Sequence, residues 1–415
     1  MNELIVSNIN KYARMLAEKK YLQSGFIAVK DEDGIVITKP RIDYSDVKED
    51  DVVFVNEKNI ESLEGNFRAA AVILYCAVKD KKADAAAIVD SDSTVEFSKK
   101  RKTIMPILDD MTQVCGVSIK CAGKNVASEV VTALSGQRNV CLLPEAGAVV
   151  TGRTLDEVFT ATLVLDKACN AELLAESKGG TQHMNAVNAL LEHVVFKLKY
   201  SKTNQKQQKA AESGENAKEE EKASAVVTDE DKKIAQDIKD AGERLLAENL
   251  VQGTWGNIGV RIDDQYMFAT PSGIDYVMLQ PEQMAKVNMD TLEWTGTNKA
   301  TSEKGIHAIL MKNDKNINAT IHTHPFYGCI LAAMGKSMPV PEKYQDVLGK
   351  EIPCAKAALP GTNALVKNVA AAIGDAPACF MAHHGVMVRG KDLDDAFAIC
   401  RALEDACHDY LTDNE

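Results

Sequence analysis

The chain has 415 residues, 45% hydrophobic and 26% charged, with a formal net charge of -12. That length supports two or three domains with separate cores, and the acidic balance argues against a protein that lives on nucleic acid, whose phosphates would repel it. No apolar run approaches the roughly 18 residues of a membrane span, and the opening MNELIVSNINKYARMLAEKK has early charges and no small-residue cleavage site; the expectation is a cytoplasmic protein with neither nucleic acid nor membrane as partner.

In the first half, the basic run Lys99, Lys100, Arg101 and Lys102 reads as a solvated loop. The segment MNAVNALLEHVVFKLKY puts Val187, Leu190, Leu191, Val194, Val195 and Leu198 at helical spacing and predicts an amphipathic helix, with His193 at its surface or rim. After Tyr200 the composition becomes Lys, Glu, Gln, Ala and Ser with almost no large apolar residue, so 201–228 is expected to be a flexible charged linker. It separates a domain at 1–200 from one at 229–415. The second half opens on a helix in DKKIAQDIKDAGERLLAENL, then strands NIGVRI and QYMFAT, a helix SEKGIHAILMK and a buried strand NATIHTH. A helix LVKNVAAAI, strands ACFMAHH and GVMVRG, and a long helix from about Asp392 to Leu411 complete it. Strands in a central sheet with helices around them make an α/β or α+β layered domain. The ten cysteines form no CxxC pair and read as reduced, buried small hydrophobes.

The two halves echo each other. GRTLDEVFTATLVLDKAC (152–169) lies beside GKDLDDAFAICRALEDAC (390–407), and IDY occurs at 42–44 and 274–276, followed at equal distance by Asn56 and Asn288. Two ungapped anchors in the same order imply a duplication, one fold occurring twice.

Chemistry concentrates in the second copy. On a strand, residues i and i+2 share a face, so His322 and His324 present paired imidazoles, a natural start to a divalent-metal site or a pair of satisfied strand-end residues. His383 and His384 offer a third imidazole at another strand end, and Glu303, at the start of a predicted helix, could ligate the metal or work as an acid/base beside it. The first copy is an internal control. There TIHTH lies opposite IVDSD with Asp90 and Asp92, Glu145 and Ala146 stand for His383 and His384, Phe67 for Glu303, and Phe26 for Asn257. Histidines kept in one copy alone read as functional there, with the first half inactive.

On GTWGNIGVR (253–261), TPSGIDY (270–276), TSE (301–303), HTH (322–324), IPCA (352–355) and HHGVMVRG (383–390), the chain resembles the class II aldolase and adducin-head family. In pattern it is nearest the zinc-dependent L-fuculose-1-phosphate type aldolases. The resemblance is strong over Lys232 to about Leu411 and a degenerate echo up to about Leu174. It implies an α/β fold with a central, mainly antiparallel sheet flanked by helices, occurring twice. It further implies one Zn2+ per chain on His322, His324 and His384, with Glu303 as catalytic acid/base. A phosphate pocket is implied at Gly256, Asn257, Ser272, Gly273, Thr301 and Ser302. Small residues, hydroxyls and a helix start are physically suited to an anion. The implied reaction is cleavage of a ketose 1-phosphate to dihydroxyacetone phosphate and an aldehyde, by a homo-oligomer with sites at domain or subunit boundaries. A pentulose-phosphate 4-epimerase or a methylthioribulose-phosphate dehydratase would use the same metal set, and a non-catalytic adducin-like binding protein is the rival from another class. Two residues depart from the pattern: Trp255 in the GTxGN loop, and Gly259 where the family usually has Ser, which would alter the edge of the phosphate pocket. The family's catalytic tyrosine has no counterpart in register; Tyr344 is near the right segment. His307, one turn after Glu303, is expected in the core or behind the site.

Overall fold

A computed structural model describes residues 3–198, 223–251 and 255–413. The chain divides into two compact units, 1–176 with 183–199 and 177–182 with 200–415.

The first unit contains helices α1 (Glu3–Glu18), α2 (Gly65–Lys81), α3 (Asp92–Lys99), α4 (Asp109–Val114), α5 (Ala127–Leu134), α6 (Leu155–Leu174) and α7 (186–198). Its strands are β1 (Phe26–Asp31), β2 (Gly34–Thr38), β3 (Val52–Val55), β4 (Ala85–Val89), β5 (Lys120–Cys121), β6 (Val140–Leu143) and β7 (Gly147–Gly152), in the sheet order β3-β2-β1-β4-β7-β6-β5. The second unit has helices α8 (Asp229–Ala247), α9 (Lys304–Asn313), α10 (Phe326–Met334), α11 (Gln345–Leu348), α12 (Asn363–Ile373) and α13 (Leu393–Thr412). Its strands are β8 (Asn257–Arg261), β9 (Tyr266–Ala269), β10 (Ala285–Asn288), β11 (Trp294–Thr295), β12 (Ala319–Thr323), β13 (Met338–Pro339), β14 (Glu351–Ile352), β15 (Cys354–Ala355), β16 (Ala378–Met381) and β17 (Gly385–Gly390). The larger sheet runs β11-β10-β9-β8-β12-β17-β16-β15. Without β11, this order repeats that of the first sheet strand for strand.

The expectation of a mainly antiparallel sheet needs a correction: both sheets are mixed. Neighbours run antiparallel except at one edge, where β5 pairs with β6 and β15 with β16 in parallel. The cause is local, because each of these pairs is joined by a crossover helix, α5 or α12, and a helix returns the chain to the same end of the sheet, as a parallel pair requires. The central strands β4 and β12 are buried at every residue, which explains their near-continuous apolar reading.

Register corrects the alignment of the copies. Asn257 faces His322 and His322 faces Met387; Phe26 faces Ile88 and Ile88 faces Val149. The counterpart of His322 is therefore Ile88, and that of His324 is Asp90, two residues earlier than IVDSD suggests.

Two other expectations change. The linker expected at 201–228 lies outside the described residues up to 222, but its last part belongs to the second unit. Ala225 and Val226 are buried, Ser224 Oγ donates to the Glu282 carbonyl at 2.9 Å, and Thr228 caps α8 in a reciprocal box with Asp231. His193 is fully buried, not at a rim. Its Nδ1 lies 2.7 Å from the Thr112 carbonyl, a partner that makes inward burial of the imidazole tolerable, while Val187 on the apolar side of α7 is exposed.

The first unit also buries an ion pair, Lys167 of α6 with Asp110 of α4, both side chains without exposure. Burial pushes the Asp110 carboxyl up and the Lys167 ammonium pulls it back. Lys167→Met should lower stability by about 3–5 kcal/mol by leaving that carboxylate without its cation. Denaturant midpoints test this, and an unchanged midpoint contradicts it.

Candidate active site

The site grows from one end of the central strands of the second unit. β12 supplies His322 and, one residue beyond its end, His324; both are buried. The turn between β16 and β17 supplies His384, also buried, after His383 in the left-handed region at φ 66°. Glu145, at the matching turn of the first copy, has φ 62°, so the turn outlasted the change of side chain. Gly385 lets these segments close: a Cβ there would lie 2.6 Å from the Thr323 carbonyl and 3.1 Å from His322 Cε1.

The three imidazoles form a compact group whose ligand nitrogens all lie within 4.8 Å of one another, the one such group of three or more metal-binding side chains among the described residues. His322 and His324 bring their Nε2 atoms to 2.9 Å, and the His322 and His384 rings stack with centroids 4.8 Å apart. His322 Nδ1 is 2.8 Å from the Val386 carbonyl. Donation of its N–H there leaves the Nε2 lone pair facing the group, as a metal-binding histidine requires. Three buried imidazoles converging in this way fit a divalent cation.

Glu303 stands at the N-cap of α9 but makes no side-chain cap bond. Its carboxylate turns inward: Oε1 is 2.8 Å from His384 Nε2, Oε2 is 3.4 Å from His322 Nε2, and Asn257 Nδ2 donates to Oε2 at 2.8 Å. Burial alone would push this carboxyl up; positive charge on His322 and His384 and the hydrogen bonds of His384 and Asn257 outweigh it and hold the group well below the usual carboxylate range. It is an ionised base in waiting.

The residues expected around a phosphate come together by main-chain bonds. Thr270 N–H donates to the Ile258 carbonyl, Ser272 N–H to the Lys299 carbonyl, and Thr301 N–H to the Thr270 carbonyl, at 3.0, 2.8 and 3.0 Å. The segments carrying Gly256 and Asn257, Ser272 and Gly273, and Thr301 and Ser302 therefore adjoin. The Asn257 amide is engaged with Glu303 and His307, so what it can offer an anion is its backbone. Thr301 Oγ1 accepts from Glu303 N–H at 3.2 Å. Residues 252–254 of the first of these loops lie outside the described residues. Trp255 stacks over His324, ring centroids 6.4 Å apart, so it borders the imidazoles directly. Tyr344 donates its hydroxyl to Asp409 Oδ2 at 2.9 Å.

His307 is fully buried between Thr320 and Asn257. Burial lowers its pKa from 6.5 to about 4. Between these values the unfolded chain binds a proton that the folded chain does not, so stability rises with pH and acidification from 6.5 towards 4 removes up to about 3 kcal/mol. Thermal midpoints should drop as the pH is lowered across that window, and drop less in His307→Gln; a flat wild-type profile contradicts the assignment.

Among the described residues of the first copy this cluster has no counterpart. Phe26 and Phe67, matching Asn257 and Glu303, stack with centroids 5.8 Å apart. Asp90, matching His324, accepts Gln23 N–H, Ser24 N–H and Ser24 Oγ–H, each at 2.7 Å. The loop equivalent to the one around Trp255 is thus closed on a carboxylate of its own chain.

The comparisons with known proteins agree with this duplicated architecture. Residues 8–173 and again 236–411 match the family described as Class II Aldolase and Adducin N-terminal domain. A 5-deoxy-D-ribulose 1-phosphate aldolase of Bacillus thuringiensis serovar kurstaki is 28% identical over 41% of this chain and 81% of its own length. A 5-methylthioribulose-1-phosphate/5-deoxyribulose-1-phosphate aldolase of Rhodospirillum rubrum is 30% identical over 41% of this chain and 77% of its own. An L-fuculose phosphate aldolase of Haemophilus influenzae is 29% identical over 43% and 82%. No helix among the described residues is long and apolar enough to cross a membrane. With both sheets matched, in the same order of strands, the chain belongs to the class II aldolase and adducin N-terminal domain family.

Proposed function

We propose that the second unit is a metal-dependent class II aldolase, a lyase that cleaves a ketose 1-phosphate to dihydroxyacetone phosphate and an aldehyde, and that the first unit carries no catalytic centre. The observation that carries this reading is the contact of Glu303 with His322 and His384 in one buried cluster. An ionised carboxylate beside three converging imidazoles suits proton transfer at a carbon next to a carbonyl. The relatives' names, all sugar-phosphate aldolases, support the substrate class.

His322, His324 and His384 would hold the cation, Zn2+ by the chemistry of a three-imidazole set. When bound, such an ion supplies Lewis-acid polarisation of the substrate carbonyl. The chain does the rest. The adjoining backbone of 256–257, 272–273 and 301–302, with the Ser272, Thr301 and Ser302 side chains, would seat the phosphate and fix the distance of the reacting carbon from Glu303. In the synthetic direction Glu303 removes a proton from that carbon; in cleavage the carbon-carbon bond breaks as the hydroxyl proton of the departing carbon passes to solvent and that fragment leaves as the aldehyde, and Glu303 then hands a proton taken up from solvent to the carbon left behind. Trp255, stacked on His324, would border the bound substrate beside the imidazoles.

Release of dihydroxyacetone phosphate from a panel of ketose 1-phosphates, 5-deoxyribulose 1-phosphate and L-fuculose 1-phosphate among them, tests the reading. Turnover of at least one is expected. Epimerised or dehydrated sugar phosphate as the sole product would replace it with the corresponding rival, and metal-free protein without turnover would leave a binding module.

A further inference from the structure

We propose that His307 is a positioning residue for Glu303, acting through the Asn257 amide in a one-directional hydrogen-bond chain that begins at the Thr320 hydroxyl. The inference rests on the reading of Glu303 as the acid/base.

The chain can be assigned atom by atom from its end. Asn257 Nδ2 lies 2.8 Å from Glu303 Oε2, and an amide nitrogen can only donate there. That turns Asn257 Oδ1 towards His307 Nε2, at 2.5 Å, and an oxygen there requires the ring to carry its proton on Nε2. A neutral imidazole with Nε2–H has a bare Nδ1, which must accept; the Thr320 hydroxyl is 2.6 Å away. That hydroxyl also lies 3.5 Å from the Gly259 carbonyl, but has one proton, and the shorter contact takes it. The order is Thr320 O–H to His307, His307 Nε2–H to Asn257, Asn257 Nδ2–H to Glu303. Each donor fixes the next, and the last fixes the carboxylate plane against His322 and His384.

Two further observations belong to the same arrangement. A Cβ at Gly259 would lie 2.9 Å from both Cγ and Nδ1 of His307, so the glycine that departs from the family pattern leaves room for this imidazole. In the first copy, the positions of Thr320, Asn257 and Gly259 are Ala86, Phe26 and Ala28 by register, and those of Glu303 and His307 are Phe67 and Ala71 on α2. Every member was replaced by an apolar residue while the sheet and helix remained, as expected of groups whose purpose was the carboxylate and not the packing.

The test uses the full-length, zinc-loaded protein. Histidine 15N spectra at neutral pH should place a neutral His307 with its proton on Nε2; a proton on Nδ1, or on both nitrogens, overturns the assignment. Thr320→Val keeps the shape and removes the first donor, and His307→Leu removes the relay. Both should lower kcat by about 10–100-fold with KM and bound zinc unchanged, and His307→Gln, whose amide can donate to Asn257, should recover part of the loss. A kcat within about two-fold of wild type in Thr320→Val and His307→Leu overturns the proposal; if His307→Leu does not fold, Thr320→Val decides. Should wild type turn over no ketose phosphate, the aldolase reading fails, while the tautomer and its collapse or persistence in Thr320→Val still decide the chain of donors.

Discussion

His322→Ala and His384→Ala should each lose the bound metal and with it all measurable turnover. Purified wild type is expected to carry about one zinc per chain by elemental analysis, as a three-imidazole set with an open position implies. The loss should be near complete because the group is minimal, three imidazoles in all, and the carboxylate beside them, Glu303, is held by the Asn257 amide rather than turned into the vacated position. Removal of one imidazole leaves two donors and an ionised carboxylate in a buried pocket. Ile88→Ala in the first copy, at the position matching His322, should leave the zinc unchanged. Wild-type zinc retained in His384→Ala would sink the proposed ligand set and move the metal elsewhere.

Glu303→Gln separates binding from chemistry. Glutamine has the same shape but neither the charge nor the proton capacity, so the zinc should stay and kcat should fall by about 10²–10⁴-fold, the range of a lost general acid/base. KM should change little if Glu303 acts on the reacting carbon and not on the phosphate. A second readout avoids cleavage altogether: exchange of a carbon-bound proton of dihydroxyacetone phosphate with solvent deuterium, which should stop in the variant. Full exchange in Glu303→Gln would transfer the acid/base role to another group.

Much of the candidate site was legible because strand geometry forces it. A spacing of two puts His322 and His324 on one face, and the HHG turn could be read beside them since both end strands of one sheet. What misled was an error of the same geometry. Placing Asp90 opposite His322 is a slip of two residues, and a slip of two keeps every side chain on its original face, so alternation gave no warning; pairing with β1 and β7 was needed to see that Ile88 is the partner. The parallel edge of each sheet was hidden for a different reason: β5 and β15 are two-residue strands, too short for any periodicity. The buried His193 was missed because an amphipathic stripe implies an inward apolar face, whereas in α7 a carbonyl of α4 holds the polar one. His307 carried a readable signal in its i, i+4 spacing from Glu303, but its link to Thr320 depends on how α9 settles on β12.

The closure of the first copy's loop on Asp90 has a historical consequence. Three donors at 2.7 Å now hold that carboxylate, and Phe26 packs on Phe67 where a polar pair stood in the other copy. Each replacement tied the loop or filled the core, so any single reversal towards histidine or glutamate would break a bond or open a void before a metal could repay it. On the proposal that this half has lost its activity, its decay would work as a ratchet: the contacts that replaced the site residues would each have to be given up on the way back.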